Sequence, residues 1–318
     1  MDVDIALVRS FVVTADELHF RRAAELLGIT QQALSQRIRR LENTLGVMLF
    51  VREGRSVELS EHGRRFLAPA IRLLAAADAA LEAVRPERQR LLRIDVVDGR
   101  LAPLRLVRKL VEDNPDVQLS LSMRQRLSAA LPALVRGEID AAFGRVHDVS
   151  GTWPASVTSR LMRLEPLHAV VLRDHPLADR SAVETSDLRK VGVWLPYYGT
   201  PSEWVCYVRR FADAFDVPLT LTGPVVDEEH LVRRMRERGD EVCLSGGDVS
   251  YDHSDAIRSI PVTAPVPLYP WSLVWRRYET HHLIEKLFGV AHETGADGFD
   301  YDSEEQWLPE PDRELLAR

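Results

Sequence analysis

The chain has 318 residues, 45% hydrophobic and 28% charged, with a formal net charge of −7. This length allows two or three domains, and the composition excludes global disorder, collagen and a disulfide scaffold. The charge is uneven. Residues 294–318 carry eight acids against two bases, a net of −6, whereas residues 19–65 carry nine arginines against five acids, a net of +4.

Residues 4–15 place Ile5, Leu7, Val8, Phe11 and Val12 at helical spacing. A second helix over residues 20–28 carries Ala23, Ala24, Leu26 and Leu27 and stops at Gly28. Thr30 caps a third, whose apolar positions are Ala33, Leu34, Ile38, Leu41 and Leu45, and Gly46 closes it. Only Gly28-Ile29-Thr30 separates the second and third helices, the short turn that a helix-turn-helix requires. Alternating apolar residues on either side of Glu53-Gly54-Arg55 predict a β-hairpin, or wing.

Ser60 and Glu61 open a long helix to about Val84, which Pro86 ends. Its heptad seam is Leu67, Ala70, Leu74, Ala77, Leu81 and Val84, a pattern that seeks a partner helix, most simply a second copy of itself. Pro69 is expected to kink this helix or shift its start. From Leu91 strands and helices alternate, which predicts βαβ units and a parallel sheet in two subdomains joined by crossing strands near 161–173 and 260–275. The cleft between strand ends is where ligands bind in such sheets.

No uninterrupted apolar run reaches the roughly 18 residues of a membrane span. The richest stretch is broken by Arg72, Asp78 and Glu82, so no membrane partner is expected. The acidic start and the scarcity of cysteine fit a cytoplasmic chain. Cys206 and Cys243 lie 37 positions apart and read as buried thiols rather than a redox pair. His281, His282 and His292 lack a metal-ligand arrangement, and no nucleophile, Walker or zinc-protease motif occurs. No cofactor, metal or catalytic residue is expected.

Residues 21–65 closely resemble the N-terminal domain of LysR-type transcriptional regulators. The matching elements are Ala23-Ala24, Leu26, Gln31-x-Ala33-Leu34-Ser35, Ile38, Leu41-Glu42, Leu45-Gly46, Leu49-Phe50, Arg52 and Leu59-Ser60-x-x-Gly63. In the body, Arg136-Gly137-Glu138-Ile139-Asp140 and Asp174-His175-Pro176-Leu177-Ala178 resemble motifs of the family's effector domain. The resemblance implies an α+β multidomain chain: a winged helix-turn-helix, a long linker helix, and a two-subdomain α/β effector domain like a type 2 periplasmic binding protein. The expected boundaries are 1–59 for the head, 60–88 for the linker helix and 89–293 for the effector domain. Within that domain, subdomain I is about 89–163 and 268–293, and subdomain II about 164–267. Residues 294–318 are expected to form a disordered acidic tail.

The implied function is sequence-specific binding of double-stranded promoter DNA by a bacterial regulator, a homodimer or homotetramer, with RNA polymerase as a further partner. The family's base-reading positions are held by Gln31, Gln32, Ser35 and Gln36. Glutamine pairs bidentately with adenine and serine suits several base edges, while Arg39 and Arg40 can hold phosphates. Arg52 and Arg55 on the wing either touch the DNA backbone or minor groove, or pair on the surface with Glu53 or Glu58. His19 stands where relatives often have a small hydroxyl residue. The effector cleft is expected near Asp98, Gly99, Arg100, Ser128, Tyr198, Thr200 and Ser202. Asp98 repels an anion unless Arg100 compensates. Trp194, Tyr197, Tyr198 and Trp204 either stack on a ligand or pack in the core. Two alternatives stay open: a regulator whose cleft binds nothing, and an enzyme with a DNA-binding head.

Overall fold

The computed structural model describes residues 4–53, 56–83, 91–150, 153–154, 156–197, 199, 201–249, 251, 255–277, 281–293 and 301–317. Two units divide the chain: Met1–Pro86 with Arg136–Glu138, and Glu87–Val135 with Ile139–Arg318.

In the first unit, helix α1 (Ile5–Glu17) is capped by Asp4, whose carboxylate accepts from the Ala6 N–H at 2.8 Å. Helix α2 (Phe20–Leu26) is capped by the His19 ring nitrogen, which accepts from Arg22 N–H at 3.4 Å. The imidazole thus caps the helix as a hydroxyl would. Gly28, at φ +64°, turns the chain. Thr30 then accepts from Ala33 N–H at 3.1 Å and opens α3 (Gln31–Leu45). The three helices bury Leu7, Val8, Phe11, Ala23, Ala24, Leu34, Ile38 and Leu41 in one core. Strands β1 (Phe50–Glu53) and β2 (Ser56–Leu59) pair antiparallel, with Phe50 opposite Leu59. The Phe11 ring lies 5.5 Å from Phe50 and 5.2 Å from Phe66, tying the hairpin to the helices.

Helix α4 (Glu61–Ala83) begins where Ser60 accepts from the Gly63 N–H and donates to Met48 C=O. A Cβ on Gly63 would stand 2.1 Å from the Leu49 carbonyl oxygen. Gly63→Ala is therefore expected to cost about 1–3 kcal/mol through a clash with backbone that cannot rotate away. A lowered midpoint in far-ultraviolet circular dichroism melting checks it.

The helix starts at Glu61 and carries Pro69 inside it, so of the two effects expected of the proline the shifted start does not occur. One expectation for α4 needs correction. Ala70 and Leu74, assigned by the heptad reading to a partner helix, are buried in this unit's own core, with Leu67 partly buried beside them. The reason is that α1 offers an apolar face whose burial needs no second chain. Among the described side chains of α4, the exposed apolar positions are instead Ala68, Pro69, Leu73, Ala76 and Ala80. Ala77 is half-buried, and the Leu81 side chain and Val84 lie outside the described residues.

The second unit alternates as expected: β3 (Leu91–Asp95), α5 (Ala102–Asp113), β4 (Gln118–Ser122), α6 (Leu127–Arg136), β5 (Ala141–Gly144) and the long β6 (Val157–Leu172). There follow β7 (Val183–Glu184), α7 (Thr185–Val191), β8 (Val193–Pro196), α8 (Glu203–Phe215), β9 (Leu219–Thr222), α9 (Glu228–Arg238) and β10 (Val242–Gly246). Strands β11 (Ile257–Thr263) and β12 (Val266–Arg276) lead to α10 (His282–Glu293). The strand order is β4-β3-β5-β12-β6-β10-β8-β9, with parallel strands in each outer half. Strand β6 pairs with β12 over Val157–Pro166 and with β10 and β11 over Leu167–Leu172, so it passes from one half-sheet to the other.

The largest departure is at the C-terminus. Residues 301–317 are structured, not a disordered tail. Strand β13 (Gln306–Trp307) pairs parallel with Val266 and Pro267 of β12, and α11 (Glu310–Arg313) and a 3-10 turn (Glu314–Ala317) follow. Leu308 is fully buried, and Asp312 forms an ion pair at 2.8 Å with Arg145, which is also fully buried. The net charge of the segment hides these anchors: Trp307, Leu308 and Leu315 bury apolar surface, and one acid meets a buried cation.

Candidate nucleic-acid interface and ligand cleft

Helix α3 is buried on Leu34, Ile38, Leu41 and Glu42. The opposite side exposes Gln31, Gln32, Gln36, Arg39 and Arg40, with Ser35 half-exposed between them. The expected base-reading residues thus lie on one edge of a helix whose other side is held by a packed core. Among the described residues Arg39 and Arg40 form no ion pair, whereas Arg21 and Arg22 on α2 pair with Glu25 and Glu17 at 3.0 and 2.9 Å. Free guanidinium groups beside the polar edge suit phosphate contact.

Glu42 has a role that sequence reasoning missed. Its buried carboxylate accepts from Leu49 N–H at 2.8 Å and Phe50 N–H at 3.3 Å, anchoring the start of the wing to α3. Arg52 sits in β1 opposite Val57. Its side chain and all of Arg55 lie outside the described residues.

In the second unit a cavity of about 280 Å³ opens at the strand ends. Asp98, Arg100 and Ser202 line it, as expected. Arg100 does compensate Asp98: they pair at 3.5 Å, and Asp98 accepts from the Arg100 N–H at 3.0 Å. Val97 and Gln125 also line the cavity, both with left-handed backbone (φ 69° and 64°). Buried Asp95 supports both loops, accepting from the Val97 N–H at 3.1 Å and from Arg124 Nη1 at 3.0 Å. Strain concentrated around a cavity is usual where function demands a fixed shape.

Ser128 and Gly99 are not in the lining. The Ser128 N–H at the start of α6 donates to the Glu203 carboxylate at 2.8 Å. The correction has an electrostatic cause: a helix N-terminus attracts negative charge, and the chain supplies its own. Gly99 instead faces Met123, whose Cε would lie 3.4 Å from an added Cβ. Tyr198 and Thr200 lie outside the described residues.

Other wall residues were not anticipated. Glu165, 1% exposed, accepts from Trp271 Nε1 at 2.6 Å and from Asp248 N–H at 2.9 Å, and burial pushes its carboxyl up. Tyr269 also lines the cavity, its ring 5.3 Å from that of Trp204, one of the aromatic residues expected there. No short-range pattern marks Glu165 or Tyr269, which come from strands distant in sequence. Of the two roles expected for Trp194 and Trp204, Trp194 takes the core one, being fully buried, whereas Trp204 faces the cavity.

Arg145, directly after β5, lines the cavity and gathers charge there. It pairs with Asp148 and Asp312, both at 2.8 Å. Asp148 also takes a two-point contact from Arg210 at 2.6 and 2.8 Å, and these guanidinium groups hold its carboxyl well below the usual range. Cys206 and Cys243 are free thiols; burial raises both, Cys243 to about 12.

Comparison with known proteins gives this arrangement its context. Residues 5–64 match the family model for bacterial regulatory helix-turn-helix proteins of the lysR family, and residues 85–295 match the LysR substrate binding domain. The HTH-type transcriptional regulator IlvR of Caulobacter vibrioides is 30% identical over 304 residues, 92% of this chain and 99% of that protein. Among solved structures, CbnR in complex with its target DNA has a TM-score of 0.68 at 19% identity, covering 92% of this chain and 100% of that one. A full-length OxyR variant of Pseudomonas aeruginosa has a TM-score of 0.64 at 23% identity, covering 92% of this chain and 95% of that one. With a packed helix-turn-helix matched at the front and a cleft-bearing α/β domain matched behind it, the chain belongs to the LysR family of DNA-binding transcriptional regulators.

Proposed function

We propose that Gln31, Gln32, Ser35 and Gln36 read base edges in the major groove while Arg39 and Arg40 hold phosphates, with Arg52 and Arg55 of the wing touching the backbone or minor groove. The observation that carries this reading is the division of α3, apolar and buried on one side, polar and exposed on the other, behind a short capped turn. One such helix reads few base pairs, so the chain acts as a homodimer or homotetramer on paired half-sites. The exposed positions Pro69, Leu73, Ala76 and Ala80 of α4 offer the apolar stripe for that contact, in place of the seam that begins at Leu67. Promoter regulation then brings in RNA polymerase as a further partner.

The cleft takes a small organic effector. An open cavity supports this over a regulator with a collapsed cleft, and its aromatic wall suits an aromatic or similarly flat ligand. An effector controls the regulator only by binding one conformation better than the other. Thermal-shift screening of small acids and aromatic metabolites tests this, and a library that changes neither stability nor DNA affinity removes the effector.

The DNA reading is tested on the segment upstream of the protein's own gene, against random duplex. The Gln31→Ala/Ser35→Ala double variant is expected to lose about tenfold or more of its sequence preference, since a good base contact discriminates by about 1–3 kcal/mol. Arg39→Ala is expected to weaken binding to every duplex and to reduce the salt slope by about one phosphate contact. A double variant with undiminished preference would move base reading off α3.

A further inference from the structure

We propose that residues 301–317 are an intramolecular strap that holds the ligand cleft in its resting geometry, with Trp307 and the Asp312–Arg145 pair as its two fastenings. The proposal rests on the reading of the cavity as the effector cleft and adds a regulatory element to it. The segment lies beyond the residues that match the LysR substrate binding domain, which end at 295.

The strap is fastened to elements that themselves form the cleft wall. Trp307 lies against α8, its ring 5.6 Å from Tyr207, 5.5 Å from Phe211 and 5.6 Å from Phe215. Tyr207 in turn stacks on Trp204 at 6.0 Å and meets Tyr269 edge-on at 5.1 Å, and both of those rings line the cavity. The β13 pairing holds Val266 and Pro267, just ahead of Tyr269 on β12. A continuous set of rings therefore leads from the strap to the ligand space.

The second fastening acts through charge. Asp312 engages Nε and Nη2 of Arg145 at 2.9 and 2.8 Å. The remaining nitrogen, Nη1, donates to Asp148 at 2.8 Å and to the main-chain carbonyl of Glu203 at 3.4 Å. Glu203 opens α8, and its carboxylate caps α6 through Ser128. Asp312 thus fixes the orientation of the guanidinium that joins the end of β5 to the start of α8, and α8 to α6 through one residue. Packed interiors transmit such constraints because few voids exist to absorb them. Release of Asp312 or Trp307 removes a constraint common to both sides of the cleft.

Hydrogen–deuterium exchange on the full chain, without DNA or ligand, tests this. In Trp307→Ala and in Asp312→Asn, exchange over residues 202–208 and 125–130 is expected to rise about tenfold or more, while residues 31–45 keep the wild-type rate. A rise confined to 301–317 and 266–268, with the cleft segments unchanged, makes the segment mere packing and overturns the proposal. Should both variants be recovered unfolded, a protease site between residues 293 and 301 allows the strap to be cut after folding and its peptide removed. The same segments are then read before and after cutting, and added peptide of residues 301–318 is expected to restore slow exchange. Unchanged cleft exchange after removal overturns the proposal equally. No DNA enters the measurement, so neither outcome touches the assignment of base reading to α3.

Discussion

Replacing Arg145 by alanine is expected to lower the stability of the ligand-binding unit by about 3–5 kcal/mol, the cost of leaving the buried Asp312 carboxylate without its counter-ion. All six tryptophans lie beyond residue 150, so intrinsic fluorescence reports this unit alone, and a fall in its melting midpoint of about 10 °C is the expected reading. Asp148 keeps Arg210 in the variant; Asp312 keeps nothing of comparable strength. The loss has a definite pH dependence. Burial pushes the Asp312 carboxyl up and the Arg145 guanidinium opposes it, so removing Arg145 leaves the upward push opposed only by the smaller effect of His147. A carboxyl whose folded-state pKa lies above its unfolded value binds more protons when folded, and stability then grows as pH falls through that range. The deficit of Arg145→Ala is accordingly full at neutral pH and shrinks in mild acid. Adding Asp312→Leu to an Arg145→Met variant is expected to recover much of the loss, because an apolar pair of similar size leaves no buried charge unpaired and Asp148 keeps Arg210. A single variant as stable as the wild type at pH 7 would show that the cluster is not held by charge.

Glu42→Ala is expected to disable DNA binding without disturbing the ligand-binding unit. The carboxylate satisfies two N–H groups at the entry to the wing, and its removal leaves both buried and unpaired, at about 3 kcal/mol together. Since β1 begins at Phe50, the wing loses its fixed approach to α3 and affinity falls for specific and random duplex alike. Tryptophan fluorescence is expected to stay at the wild-type value, because no tryptophan lies in the head. Glu42→Gln, which keeps an accepting oxygen, is expected to retain most of the binding. Equal losses in both variants would mean that the negative charge, and not the pair of hydrogen bonds, is what the wing requires.

These effects separate what was legible along the chain from what was not. The three helices of the head, the turn at Gly28, the cap at Thr30 and the hairpin all follow from signals within a few residues of one another. The polar edge of α3 could be assigned because one helical period places its buried and exposed residues without reference to the rest of the fold. The alternation of strands and helices after Leu91 was visible for the same reason.

The cleft was only partly visible. Position relative to the family resemblance indicated Asp98, Arg100 and Ser202, but Glu165, Tyr269 and Trp271 reach the cavity from β6 and β12, the paired strands between the two half-sheets. Ser128 lost its expected place to a carboxylate 75 residues away. The heptad reading of α4 erred because periodicity shows that a face is apolar and says nothing of which surface covers it.

Local pattern sufficed for the helix-turn-helix, the wing and the αβ succession, since capping, turn chemistry and periodicity act between near neighbours. The folded chain alone showed that Glu42 anchors the wing, that Glu203 caps α6, and that an acidic terminus is stitched to Arg145. The last two join residues far apart in sequence, the Glu42 contact closes only after the chain has turned back on α3, and whether a carboxylate meets water or a buried partner depends on the packing that brings them together.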